Sequence, residues 1–432
     1  GETLGVRMSE NPYKSKSARY YAVGLLTVVY TFNFIDRQLL SILQESIKAD
    51  LLLSDTQLGL LTGFAFALFY VTAGIPIARW ADRANRRNIV ALAVGIWSFM
   101  TAISGLAQNY FQLLLARVGV GVGEAGGSPP AHSMISDIFP PEKRASALAF
   151  YSMGVNIGIM FGFLAGGWLN EIFNWRVAFM VVGIPGLLIA IIVRYTLREP
   201  IRGLSENRAA SDETVPFKDV LKLLASRMSF RHMAFGAALN AFAGYSTSSW
   251  TASFMIRSHD MTTGELGTYL AFIMGLGGAI GVLAGGIIAE KLAVKDKRWY
   301  MLLPALTGVV CLPFMIATYL AEGPYLALAL SVVPGILFNV YLGNTLAMTH
   351  GLVGLRMRAV ASAILFFVLN LIGLGLGPWA VGVLSDMLNP SLGVDSLRYA
   401  MLYLLPAAMA WSCYHFYMAS RTIEKDLAAA PD

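Results

Sequence analysis

Twelve long apolar stretches follow one another along this chain with only short polar breaks between them, and that alternation leaves few ways to fold. They run at roughly 20–45, 56–80, 88–107, 111–133, 145–169, 177–195, 231–256, 264–290, 299–320, 324–349, 358–384 and 398–418. Each approaches or exceeds the ~20 apolar residues that a helix needs to cross a bilayer. Charged residues make up 13% of the 432 residues, about half the share of a soluble domain, against 56% hydrophobic. The expected fold class is an all-α membrane protein of twelve transmembrane helices in two pseudo-symmetric six-helix bundles.

Topology is read from lysine and arginine. If both termini are cytoplasmic, 26 of the 32 basic residues lie on the inner side, among them Arg7, Arg79, Lys143, Arg208, Lys295 and Arg356. Only Lys48, Arg176, Arg257 and Arg398 fall outside, and two lie within spans. Positive charge resists translocation, so this bias favours an even number of spans with both ends inside. The net charge of +6 does not point to nucleic acid, because the bases sit in small groups at span ends. Residues 1–19 are polar and basic and the first apolar run exceeds signal-peptide length, so no cleavable leader is expected. Cys311 and Cys413 both lie in apolar runs, which argues against a disulfide framework. A bacterial inner-membrane location and a monomeric protein are expected.

The one long loop, about 196–230, divides the chain into an N-terminal bundle (1–195), a cytoplasmic linker (196–230) and a C-terminal bundle (231–432). Within the linker Phe217, Val220, Leu221 and Leu224 recur at helical spacing, which suggests a helix lying on the membrane surface. The two halves echo each other. Ala78 to Arg87 and Gly286 to Lys291 share a small-x-x-x-acid-base core, and Arg144 precedes Asn156 by twelve residues as Arg358 precedes Asn370. A small residue admits a neighbouring helix while the acid pairs with it and the bases stay in the headgroup layer. Such clusters serve as topology anchors, or as releasable latches. Their repetition favours a cytoplasmic gate of Asp82, Arg83, Arg86, Arg87, Arg144, Glu290 and Lys291.

Four ionisable residues lie well inside spans: Asp36, Arg37, Arg117 and Glu124. A charge at membrane depth costs roughly 3 kcal/mol on insertion scales, so it faces protein or water and has a partner. Arg117 and Glu124 are two turns apart on one azimuth, whereas adjacent Asp36 and Arg37 diverge by about 100° and must meet different neighbours. Burial favours a protonated carboxyl and a nearby guanidinium favours an ionised one, so such a cluster can switch with protonation. The alternative is a pair of structural ion bridges fastening the first and fourth helices. Gly121-x-Gly123-x-x-Gly126 matches a dinucleotide fingerprint, but no strand precedes it and it sits in an apolar span. Close helix packing and a bend at Ser128-Pro129-Pro130 are expected instead. The same packing role is expected of Gly154, Gly158, Gly162 and Gly166, and of the glycines from Gly277 to Gly286. These flat surfaces could also part to admit a lipid tail.

The C-terminal spans are almost free of charge but rich in polar groups: Asn240, Tyr245, Ser246, Thr247, Ser248, Ser249, Asn339, Tyr341, Asn344 and Asn370. Mutual hydrogen bonding across helices is one reading, and a wall that is polar in one place and greasy elsewhere, suited to an amphiphile, is the other. Candidate substrate contacts are Asn33, Arg37, Arg117, Glu124, Tyr245, Ser246, Asn339, Asn344 and Asn370. The five histidines show no metal-ligand spacing, and no nucleophile elbow or phosphate loop is present. Neither an enzyme nor a cofactor or metal is expected.

Ala78 to Arg87 resembles the loop signature of the major facilitator superfamily, with Ala78 and Asn85 where glycines are usual. Leu113-x-x-x-Arg117-x-x-x-Gly121-x-Gly123 is similar to its fourth-helix motif. Phe34-Ile35-Asp36-Arg37, Gly123-Glu124-Ala125, Ser136-Asp137-Ile138-Phe139-Pro140 with Arg144, and Leu197-Arg198-Glu199-Pro200 resemble the Spinster subfamily. The resemblance implies a secondary transporter of lysophospholipids or sphingolipids. It places Asp36, Arg37, Arg117 and Glu124 at positions tied to proton coupling and headgroup handling. Protons and membrane lipids are the implied partners. Asn85 is expected to tolerate the left-handed turn that glycine supplies in relatives. The rival expectations are a proton-coupled carrier of small organic anions or drugs, with Arg37 and Arg117 clasping a carboxylate, and a scramblase or receptor without coupled transport.

Overall fold

The computed structural model describes residues 9–203, 215–354 and 357–431, and among them there is no β-strand. Arg7, Arg208 and Arg356, counted above toward topology, lie outside the described residues. Helices in chain order are α1 (Lys16–Leu51), α2 (Asp55–Ala81), α3 (Arg86–Ser104), α4 (Tyr110–Glu124), α5 (Ser128–Ile138), α6 (Pro141–Ile172) and α7 (Trp175–Thr196). After the linker come α8 (Phe217–Ser226), α9 (Met228–His259), α10 (Thr263–Ala293), α11 (Trp299–Leu320), α12 (Pro324–Gly351), α13 (358–392) and α14 (Ser396–Ala428). With α4 and α5 as one crossing and α8 set apart, these are the twelve expected spans, and the protein is an integral, multi-pass membrane protein.

Eight helical stretches are apolar and long enough to cross a membrane on those grounds alone. Helices α1, α4 and α9 are not in that set: α4 has only 15 residues, and α1 and α9 carry polar groups such as Asn33, Asp36 and Asn240 along their length. Asparagines punctuate the helix starts. Asn85, Asn109 and Asn174 each cap a helix by accepting from the backbone N–H three residues on, which satisfies a donor that hydrocarbon cannot. Ser54 and Gln57 form a reciprocal capping box at the start of α2.

Three differences from the sequence reading have physical causes. The fourth span is not a bent helix: it stops at Glu124 and restarts at Ser128, where Pro129 and Pro130 need no donors of their own. Asn85 has φ −70°, so it is not left-handed, and its value to the loop is the cap that its side chain makes. Helix α8 does not merely lie on a surface. Its Val220 and Leu224 are fully buried in a core with Met233, Leu365 and Phe416, while Phe217 and Leu221 stay exposed.

The chain forms two compact units. One comprises the chain up to Ser46 and from Leu68 through α7; the other comprises Ile47–Ala67 and the chain from α8 onward. In the first, glycines set the helix spacing. A methyl on Gly158 would stand 2.6 Å from Phe34 Cβ and Thr31 O, and on Gly154, Gly162 and Gly166 it would stand 3.0, 2.9 and 2.7 Å from atoms of α1. Gly119, Gly123 and Gly127 pack in the same way on Met100 and Trp97 of α3. In the second, Gly281 and Gly285 of α10 press on Ile336 and Val340 of α12. Three helices also widen locally to i→i+5 hydrogen bonding, at Leu60–Phe64 in α2, Ala271–Leu276 in α10 and Leu369–Leu376 in α13. Such wide turns mark helix bends and functional hinges.

Candidate functional site

Three helices of the first unit, α1, α3 and α4, bring the buried charges together. Diverging as adjacent helical residues must, Asp36 turns toward α3 and Arg37 toward α4. Thr101 donates its hydroxyl to Asp36 Oδ2 at 2.6 Å, and Arg37 Nε donates to Glu124 Oε2 at 3.1 Å. Arg117 lies on the same face of α4 as Glu124, within electrostatic reach of both acids. Asp36, Arg117 and Glu124 are buried, and Arg37, with 17% of its side chain accessible, is the member that reaches the surface.

The cluster is incompletely satisfied. Nε and Nη1 of Arg117, Oε1 of Glu124 and Oδ1 of Asn33, one turn before Arg37, have no hydrogen-bond partner among the described residues. Buried polar atoms are nearly always paired, and orphaned charged ones are costly, so this arrangement is suited to accept protons, water or a polar ligand. An aromatic group that the sequence did not single out adjoins it. The Arg37 guanidinium sits 4.7 Å from the ring of Phe34 and 4.8 Å from that of Tyr70. Tyr30 stacks on Tyr151 at 4.4 Å, with His132 edge-on to Tyr151. Aromatic faces stabilise the cation without neutralising it. Thr101 was not legible either, since a threonine in an apolar run gives no signal until its neighbour is known.

The candidate contacts of the second unit, Tyr245, Ser246, Asn339, Asn344 and Asn370, carry no formal charge. Asn339 and Asn344 do not bridge helices as expected; each donates to a carbonyl four residues back on its own helix. Ser246 is fully buried with its hydroxyl unpartnered, and Tyr245 and Asn370 are half-buried. Asn240 is buried, donates weakly to Met409 Sδ and leaves its carbonyl oxygen free.

The gate residues divide sharply. Arg86 is fully buried, donating to Asp137 Oδ2 at 2.5 Å, Glu199 Oε1 at 2.7 Å, Ser133 at 2.8 Å and Pro200 O at 3.0 Å. Glu199 also accepts from the Arg87 backbone, and Arg202 caps the end of α2 through Ala81 and Ala84 carbonyls. Arg144 donates to Ser136 O at 2.8 Å. These residues therefore bolt one unit internally. Asp82, Arg83, Glu290 and Lys291 are exposed. Tyr13 joins the same network by donating to Arg198 O, and burial pushes its phenol up to about 12.

Residues 26–418 match the Major Facilitator Superfamily. The chain belongs to that family. It is therefore a secondary transporter and not an enzyme. It is 33% identical to an MFS-type efflux pump of Mycolicibacterium smegmatis, over 94% of each chain. It is 34% identical to a bacterial homologue of the human lysosomal transporter Spinster, solved in an inward-facing, unoccupied conformation, with a TM-score of 0.82 over 95% of this chain and 99% of that one. A probable galactarate/D-glucarate transporter of Bacillus subtilis is 26% identical over 66% of this chain and 67% of its own length. Among the described residues no group of three or more metal-ligating side chains occurs.

Proposed function

We propose that this transporter carries a lysophospholipid- or sphingolipid-like amphiphile by alternating access, with protonation of Asp36 or Glu124 biasing the cycle. The observation that carries the reading is the asymmetry of polar chemistry. Among the described residues the mid-span charge belongs to Asp36, Arg37, Arg117 and Glu124, whereas Tyr245, Ser246, Asn339, Asn344 and Asn370 are neutral. A charged headgroup suits the first set, with Asn33 beside it, and the weakly polar remainder of an amphiphile suits the second. Orphaned atoms on Arg117 and Glu124 support a role in proton exchange over one of pure bracing. The exposed Asp82, Arg83, Glu290 and Lys291 are proposed as the moving part of a cytoplasmic gate, and Arg86, Arg87 and Arg144 as its fixed part. The positive-inside bias supports cytoplasmic termini and an inner-membrane location. Protons and membrane lipids are the partners in this reading, and the protein works as a monomer.

The test is uptake into proteoliposomes under imposed pH gradients. Saturable, counterflow-stimulated lysolipid uptake is expected, excluding a scramblase, and it should fall at least about tenfold in Asp36→Asn and Glu124→Gln. Unchanged rates and pH profiles in both folded variants would sink the coupling. The sugar-acid relative favours a second reading, in which Arg37 and Arg117 clasp a small carboxylate. Competition by a soluble dicarboxylate, with none by lysolipid, would decide for it.

A further inference from the structure

Where α11 and α14 lie side by side in the second unit, they leave an apolar groove of about 490 Å³ between them. Trp299, Leu302, Leu306 and Val309 line it from α11, and Tyr414 and Tyr417 from α14. More than half of Leu306, Val309, Tyr414 and Tyr417 is accessible, so the groove faces the surroundings of the protein and not its core. The two helices touch at Gly308, where a methyl would collide with Cys413 Sγ, and the groove runs over that contact between the larger side chains. None of these residues is a candidate substrate contact.

The groove has a wet end and a greasy end. From Trp299 at the start of α11 to Val309 the helix rises about 15 Å. That is the depth of one leaflet in a hydrocarbon layer of ~30 Å. Trp299 and Tyr417 carry the amphipathic rings that settle at headgroup level. Just beyond them the chain turns basic. Arg421 is exposed and extends the α14 row of Tyr414 and Tyr417 by one turn, and Arg298 directly precedes Trp299. Arg298 is within electrostatic reach of Tyr417 and Glu424, which sets the start of α11 against the end of α14. Asp296 holds Arg298 through Nε and Nη2, at 3.1 and 2.8 Å, so Arg421 is the arginine better placed to meet a ligand. With Lys295, Lys297 and Lys425 exposed nearby, five bases face two acids, Asp296 and Glu424, and the collar is positive.

We propose that this groove is a binding site for one anionic phospholipid, with an acyl chain along α11 and the phosphate at Arg421. The apolar length suits a chain confined to one leaflet, and the positive collar selects an anionic headgroup over a zwitterionic one. By the positive-inside reading this end faces the cytoplasm, the side on which basic clusters meet anionic lipid. The bound lipid is a splint between α11 and α14 and not a cargo, so the site is independent of what the protein transports.

Native mass spectrometry of the full-length protein, titrated in micelles with phosphatidylglycerol or phosphatidylethanolamine and without substrate, tests the site. One phosphatidylglycerol should stay bound at a concentration about tenfold lower than phosphatidylethanolamine requires. Arg421→Gln should weaken that retention about fivefold. Leu306→Trp fills the groove while leaving every charge in place, and should abolish it. Both side chains are exposed, so neither change disturbs the core. Arg37→Gln alters the charged cluster and should leave retention intact, which separates this site from a lipid held for transport. Equal retention of the two lipids, unchanged retention in Leu306→Trp, or loss in a folded Arg37→Gln would overturn the proposal. So would a second copy of the chain bound in place of lipid.

Discussion

Two buried carboxylates, Glu124 and Asp55, show how differently one protein can treat the same group. Asp55 receives four hydrogen bonds from three side chains, those of Lys48, Arg257 and Ser385, and is flanked by two bases. Glu124 receives one bond of 3.1 Å and keeps an oxygen without a partner, although two guanidinium groups are near. Full satisfaction makes an ion pair stiff, since nothing is gained by changing it. Partial satisfaction leaves free energy to be released by a proton, a water or a ligand. The first pattern suits a lock and the second a site.

The contrast can be broken by substitution, starting where the effect is largest. Asp55→Ala leaves the half-buried Arg257 and Lys48 side by side without their acid, and should cost on the order of 3 kcal/mol, seen as a large drop in the thermal unfolding midpoint. Glu124→Gln should do the reverse, leaving the midpoint nearly unchanged while transport falls about tenfold, measured as initial uptake rates. If Glu124→Gln destabilises as much as Asp55→Ala, both carboxylates are braces. Gly158→Ala pushes α6 off α1 beside Phe34, and should cost about 1–3 kcal/mol and weaken transport through the displaced Arg37. Thr101→Val removes the donor to Asp36, with an expected cost of about 1 kcal/mol and a shifted pH profile of uptake.

The smallest effect lies outside the membrane. The Tyr13 phenol is raised from 10.0 to about 12 by burial, so folding favours its protonated form. Its contribution is complete below pH 10 and is lost as pH rises through 12. Tyr13→Phe should therefore flatten the alkaline limb of the stability curve, while at neutral pH it costs about 1 kcal/mol for the two hydrogen bonds with the Arg198 backbone.

The spans and the four mid-membrane charges were legible because hydrocarbon penalises exactly what makes them stand out: an unpaired charge or an unsatisfied backbone group. Helical azimuth alone separated Asp36 from Arg37, and their partners proved to lie on different helices. Partners themselves were not legible. Thr101 for Asp36, and Glu199 for Arg86, come together only through tertiary packing. The Asp55 ion pairs were half visible, since Lys48 and Arg257 are two of only four bases assigned to the outer side, yet no pattern said that they converge. All four are engaged: Arg176 caps α3 through the Gly105 and Ala107 carbonyls, and Arg398 lies 3.6 Å from Asp395. The asparagines of α12 show the same limit: each returns a hydrogen bond to its own backbone, a choice that spacing does not reveal.

The encased Arg86 carries a consequence for biogenesis. Its guanidinium finds Asp137 early in synthesis, but Glu199 and Pro200 lie more than a hundred residues downstream, beyond the end of α7. A nascent chain halted at Thr196 would hold a buried cation lacking two of its acceptors. The Arg86 network therefore completes itself only as the ribosome begins the connecting segment.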